Sequence, residues 1–184
     1  MITIVSGLPR SGTSLMMQML QAGGLRLQTD NVREADTHNL RGYYEDRRVK
    51  ALAKENAWLA EADGMALKVV SLLLYNLPSD LEYRVVFMRR NMDEILRSQD
   101  KMLADTAPQQ AGMDIRPHFE RHLQDLAKWL PQQEHIQSME LEYRSVVDAP
   151  LDAARSVADF LELQLDLEAM ATVVDPSLYR QRQD

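Results

Sequence analysis

The segment IVSGLPRSGTSLMMQML, Ile4 to Leu20, constrains the fold more than any other part of the chain. Ile2 to Val5 is a short β-branched run and reads as a buried strand. Gly7 and Gly12 bracket a turn, and from Thr13 the apolar residues Leu15, Met16, Met19 and Leu20 fall on one helical face until Gly23 and Gly24 end it. Strand, glycine-bracketed turn and helix thus follow in the order that gathers backbone amides and a helix N-terminus around an anion.

The rest of the chain repeats that alternation. A helical pattern runs from about Glu45 to Ala60, with Val49, Leu52, Ala53 and Leu59 on its inner side. MALKVVSLLL from Met65 and YRVVFM from Tyr83 to Met88 read as strands, the second feeding a helix at Met92 to Met102. Pro117 suits a first helical turn, and Ile115, Phe119, Leu123, Leu126, Ala127 and Leu130 recur at helical spacing. HIQSMELEY is a candidate fourth strand, and Pro150 opens a helix carrying Leu151, Ala154, Val157, Ala158 and Leu161. Strands alternating with helices imply an α/β fold with a mostly parallel sheet covered on both faces. Its 184 residues suffice for a single domain, 1–184. LADTAPQQAGMD, Leu103 to Asp114, offers little to bury and reads as a mobile loop.

Composition narrows the partners. A net charge of −7 excludes the broad basic face that nucleic acid or an anionic membrane would need, so any anion must meet a local cationic site. With no cysteine, disulfides and thiolate metal sites are impossible. The chain opens without a leader pattern and has no run of 18 apolar residues, which leads to the expectation of a soluble cytoplasmic protein.

The nucleotide-triphosphatase pattern G-x-x-x-x-G-K-[ST] is matched by GLPRSGTS at Gly7, Gly12 and Ser14, but Thr13 stands where the lysine belongs. The β,γ-phosphates of ATP would lack their usual cation, and no strand ends in an obvious magnesium-binding aspartate. Arg10 instead places a cation inside the loop. In VVFMRRNMDEILRS, a strand ending at Met88 releases Arg90 at the carboxyl edge of the sheet, and Ser98 follows about two helical turns later. Arg90 then either grips an anion or pairs with Asp93 or Glu94.

Together these stretches resemble a known family. GLPRSGTSLM is similar to the 5'-phosphosulfate-binding loop of sulfotransferases that use 3'-phosphoadenosine 5'-phosphosulfate (PAPS), and RNMDEILRS resembles their 3'-phosphate motif. MELEYRSVVDAPLDAARSVADFLEL looks like the family's C-terminal strand and helix. The resemblance implies a three-layer P-loop-type fold and sulfuryl transfer, without a metal, from PAPS to a hydroxyl or amine on a small-molecule or carbohydrate acceptor. By the same resemblance Arg10, Ser11, Gly12, Thr13 and Ser14 would hold the phosphosulfate, and Arg90 and Ser98 the 3'-phosphate.

The sequence also departs from that family. LKVVSLL supplies the family's lysine as Lys68, but Val70 occupies the position of its usual catalytic histidine. Glu45, in a Gly-aromatic-aromatic-Glu stretch similar to that of bacterial and carbohydrate-type members, is the candidate base, with Asp46 a weaker one. Glu45 equally suits a helix N-terminus, and Lys68 a snorkelling strand residue. Arg41, Arg47 and Arg48 are candidates for an acidic acceptor or a solvated face, and Arg180 or Arg182 for the 3'-phosphate. His118 and His122 read as a surface pair, because no third ligand accompanies them. A non-catalytic nucleotide binder of the same fold and a P-loop nucleotide kinase stay open as alternatives. Oligomeric state is not legible in the sequence.

Overall fold

The computed structural model describes residues 1–30, 42–107 and 112–178. Five strands form one parallel sheet: β1 (Ile2–Gly7), β2 (Leu27–Gln28), β3 (Ala66–Val70), β4 (Tyr83–Arg89) and β5 (Ile136–Glu142), in the order β2-β3-β1-β4-β5. Helices α1 (Thr13–Ala22), α2 (Met92–Thr106), α3 (Arg116–Trp129), α4 (Tyr143–Asp148), α5 (Pro150–Leu161) and α6 (Leu167–Thr172) complete it. Every residue of the central strand β1 is buried, as a strand covered on both faces must be.

Strand alternation divides the interior in two. Val5, Ala66, Val86 and Met88 face α1, α4, α5 and α6, packing with Met16, Met19, Leu20, Val157 and Leu161. Ile4, Leu67, Val69, Val85 and Phe87 face the other way, toward Leu52, Leu59, Leu74 and Leu126. The result is the three-layer α/β architecture expected from the alternation of elements. From β1 the chain builds β2 and β3 on one side and then crosses to β4 on the other. That reversal opens a crevice at the carboxyl edge beside Gly7, which is in register with both Val70 and Met88.

Four expectations change. Glu45 to Ala60 is not one helix but two 3-10 segments, Arg47–Ala51 and Ala57–Ala62. Val49, Leu52 and Leu59 are buried as anticipated, while Ala53 is exposed. Three-residue hydrogen bonds, such as Val49 N–H to the Asp46 carbonyl and Leu59 N–H to the Asn56 carbonyl, wind these pieces tightly, and burial overrides helix propensity. The strand from Met65 stops at Val70 because its neighbour β1 stops at Gly7; Ser71–Asn76 is a 3-10 helix that tucks Leu74 into the core. Helix α2 continues through Thr106, into the stretch read as a loop, of which residues 108–111 lie outside the described set.

The fourth concerns the histidines: His118 is exposed, but His122 is buried and its Nε2 lies 2.9 Å from Ser71 Oγ. His122 shares the stripe of Leu126, four residues after it, so the face that buries Leu126 buries it too. Burial holds its pKa below the ordinary value of 6.5, against the opposing pull of Asp125. As pH falls below about 6.5 the unfolded chain takes up a proton here that the folded chain resists, so this residue's contribution to stability is lost on acidification. Denaturant titrations from pH 7.5 to 5 should show stability declining through that window, with a shallower decline in His122→Gln.

Candidate active site

The site is built on the loop that leaves β1. Arg10 has φ 69° and Gly12 φ 101°, while Ser11 between them keeps a negative φ. Such alternation turns successive amide N–H groups toward one concavity, and α1, opening at Thr13, adds the positive end of its dipole. A left-handed arginine costs about 1–3 kcal/mol. Two hydrogen bonds support it: Ser11 N–H to the Leu8 carbonyl at 3.2 Å, and Arg90 Nη1 to the Arg10 carbonyl at 3.1 Å. The loop folds close over the strand, since a Cβ on Gly7 would lie 2.4 Å from Ser11 Oγ and 2.6 Å from the Met88 carbonyl oxygen. Ser11 is buried, and its Oγ has no hydrogen-bond partner among the described residues.

The second cationic group arrives from β4. Asn91 caps α2 by accepting from the Asp93 and Glu94 amides, which turns the chain sharply after Arg90. Arg90 Nε then donates to Glu94 Oε2 at 2.9 Å, an ion pair whose side chains are 10% and 3% exposed. Its guanidinium carbon lies 4.5 Å from the centre of the Tyr143 ring. Arg10 Nε donates to Ser98 Oγ at 3.0 Å. Arg10, Arg90 and Ser98, which are separated by up to 88 residues, thus share one corner of the sheet edge. Arg90 thus pairs with Glu94, as one of its two sequence readings expected, and its Nη1 reaches the Arg10 carbonyl in the loop.

A third group lies on the β3 side of the loop. Lys68 Nζ donates to the Tyr43 carbonyl at 2.8 Å, to Ser14 Oγ at 3.2 Å and to Glu45 Oε1 at 3.3 Å. Its side chain is 12% exposed and faces the start of α1. Glu45 is placed by its backbone: its carbonyl accepts from Thr29 Oγ1 and from the Asp30 amide, just beyond β2. Asp46 serves elsewhere, for its carboxylate caps the first 3-10 segment and accepts from Arg48 and Gln28. Burial raises its pKa, but the hydrogen bonds from Arg48 and Gln28 outweigh that and hold it below the ordinary value.

The remaining candidates separate clearly. Arg47 is largely solvated beside Asp30. Arg48 pairs with Asp46 and Glu61 and lies 4.2 Å over the Trp58 ring. Arg41, Arg180 and Arg182 lie outside the described residues.

Tyr143 is the site residue that sequence reasoning missed. It follows β5 immediately, so the sheet delivers it to the carboxyl edge, where it packs on Arg90 and against Gly12. Burial pushes its hydroxyl above the ordinary phenol pKa, with Glu94 adding to the shift and Arg90 and Arg10 opposing it. The signal was a strand-terminal aromatic in the stretch that looks like the family's C-terminal strand and helix, together with a loop glycine that needed a reason. A Cβ on Gly12 would lie 2.3 Å from Tyr143 Cδ2. Gly12→Ala should therefore cost about 1–3 kcal/mol from backbone strain alone, and more from the clash. In thermal unfolding the loss should be smaller in a Tyr143→Ala background, because only the strain remains there.

A profile of the sulfotransferase domain matches residues 2–183. No curated protein matches the sequence closely enough to count as a relative. Among solved structures, the sulfotransferase domain of the olefin synthase of Synechococcus PCC 7002 superposes with a TM-score of 0.59 at 17% identity, over 100% of this chain and 87% of that one. The sulfotransferase domain from the curacin biosynthetic pathway gives 0.55 at 14% identity, over 97% and 88%. A sulfotransferase from Mycobacterium avium gives 0.52 at 16% identity, over 100% and 69%. At these identities the superpositions speak for the fold, and the profile, spanning nearly the whole chain, for the family: the chain belongs to the sulfotransferase domain family.

Proposed function

We propose that this sulfotransferase uses PAPS as its donor and transfers the sulfuryl group to a hydroxyl or amine acceptor. One observation carries the reading: the loop arginine and the arginine–serine pair of the second motif meet at one corner, through Arg10 to Ser98 and Arg90 to Arg10. The residues fit a doubly anionic nucleotide. The amides of residues 10–14, the Thr13 and Ser14 hydroxyls and the orphaned Ser11 Oγ offer donors for a 5'-phosphosulfate, while Arg90 and Ser98 offer a charged and a neutral donor for a 3'-phosphate. No group of three potential metal ligands gathers among the described residues, and none is needed in this scheme.

PAPS supplies an activated sulfuryl group whose bond to the 5'-phosphate oxygen breaks as the bond to the acceptor oxygen or nitrogen forms. Glu45 would take the proton that the acceptor releases, and Lys68 holds that carboxylate beside the start of α1. Arg10 and the loop amides would offset the negative charge left on the phosphate oxygen. Lys68 would stabilise charge spreading over the sulfuryl oxygens. Val70 has no proton to exchange, so the chemistry is assigned to the carboxylate. Action in the cytoplasm fits a chain that has no cysteine and whose described helices are none of them long and apolar enough to cross a membrane.

Thermal unfolding with 3'-phosphoadenosine 5'-phosphate, set against ATP and magnesium, tests the donor. Stabilisation is expected from the first alone, and the reverse pattern would favour a kinase. Arg90→Ala should lose most of that stabilisation. With labelled PAPS, Arg10→Ala should lower kcat by about 10²–10³. Glu45→Gln should abolish transfer while still being stabilised by the nucleotide; full activity in that variant would remove Glu45 from the role of base.

A further inference from the structure

Asp46 carries more than a cap requires. A neutral serine or asparagine would satisfy the first amides of the 3-10 segment without taking a charge out of water. Here a carboxylate stands in that place, its side chain only 1% exposed. It accepts from the Arg48 amide at 3.0 Å, from Arg48 Nε at 3.1 Å and Nη2 at 2.8 Å, and from Gln28 Nε2 at 3.0 Å. Arg48 in turn lies over Trp58 and pairs with Glu61, both in the second 3-10 segment. Asp46 is therefore the point at which the end of β2 and both 3-10 segments are joined.

The residue before it is Glu45. Three consecutive residues at the end of β2 hold three consecutive residues here: Gln28 donates to Asp46, Thr29 Oγ1 donates to the Glu45 carbonyl, and Asp30 Oδ2 accepts from the Arg47 amide. Gln28 is in register with Leu67 of β3, one residue before Lys68, so the clamp is anchored beside the partner of Glu45. Lys68 Nζ reaches both the Tyr43 carbonyl and the Glu45 carboxylate, and Tyr44 between them is left-handed at φ 53°. A non-glycine residue keeps that conformation only where its surroundings fix it. Lys68 holds the amino side of this turn, and the Asp46 clamp holds the carboxyl side.

We propose that Asp46 is a positioning residue: through Gln28 and Arg48 it fixes the backbone at Glu45, so that the Glu45 carboxylate stays on Lys68 beside the phosphate loop. In its catalytic part this rests on the sulfotransfer reading above, in which Glu45 is the base. Misplacing a reacting group by about 1 Å can cost about 10²-fold in rate, so turnover depends on the buried carboxylate as well as on its neighbour.

Two variants test it. Asp46→Asn removes the charge and keeps the shape, while Gln28→Ala cuts the tie to β2 and leaves the Asp46–Arg48 pair in place should the first fail to fold. In the folded variants Lys68 should be acetylated by acetic anhydride about fivefold faster than in the wild type, the effect of one net hydrogen bond, with exposed Lys128 as the internal reference in mass spectrometry. Wild-type labelling of Lys68 in a folded variant overturns the proposal. With labelled PAPS and water as acceptor, kcat for sulfate release should fall about tenfold or more at unchanged KM, and stabilisation by 3'-phosphoadenosine 5'-phosphate should persist. A cap of purely structural importance would lower Tm and leave Lys68 labelling and kcat at wild-type values, which also overturns it. Should the wild type neither turn over PAPS nor be stabilised by the nucleotide, the sulfotransfer reading falls, while faster Lys68 labelling in the variants still upholds the clamp.

Discussion

The arrangement depends on one side chain. Arg90 is bound to the loop through the Arg10 carbonyl, to α2 through Glu94, and to the start of α4 through the Tyr143 ring. Three segments that the chain visits at residue 10, at residues 90–94 and at residue 143 are thereby joined at one guanidinium. Arginine suits this position better than lysine, because its planar fork can hold two acceptors in fixed directions while its face stacks on a ring. The ion pair is largely removed from water, so loss of either partner would strand a charge and cost about 3–5 kcal/mol. The guanidinium so held gives the Arg10 carbonyl a hydrogen bond that offsets part of the strain of its left-handed conformation.

The parallel topology then separates the site's tasks. Because β1 is central, its loop has β4 on one flank and β3 on the other. The β4 flank supplies Arg90 and Ser98, and the β3 flank supplies Lys68, with Glu45 brought over by the chain that follows β2. Charges of like sign are thus placed on two sides of a single loop, each beside its own carboxylate, Glu94 or Glu45. An acidic protein can in this way present two local cationic groups without a basic surface, which accords with its net charge of −7.

What could be read from the sequence was what the chain encodes locally. The β1 strand, its glycine-bracketed loop and α1 are contiguous, and their pattern is strong. Arg90 and Ser98 were legible because a strand end and a helix repeat fix their separation. The Lys68 contact with Glu45 was not legible, since it depends on hydrogen bonds to the residues after a strand of only two residues. His122 was misplaced because a polar residue on an apolar stripe reveals its partner, Ser71, only once α3 packs on the sheet. Tyr143 was hidden for the same reason: its role lies in what it touches, and Gly12 precedes it by most of the chain.

The central position of β1 bears on how the protein is made. This strand, buried along its whole length in the fold, is made before both of its neighbours, β3 at residues 66–70 and β4 at 83–89. At translation speeds of about 5–20 residues per second, that surface waits several seconds for its first hydrogen-bonding partner. During that interval the nascent chain carries an unpaired, aggregation-prone edge, a consequence of placing the central strand ahead of both strands that flank it.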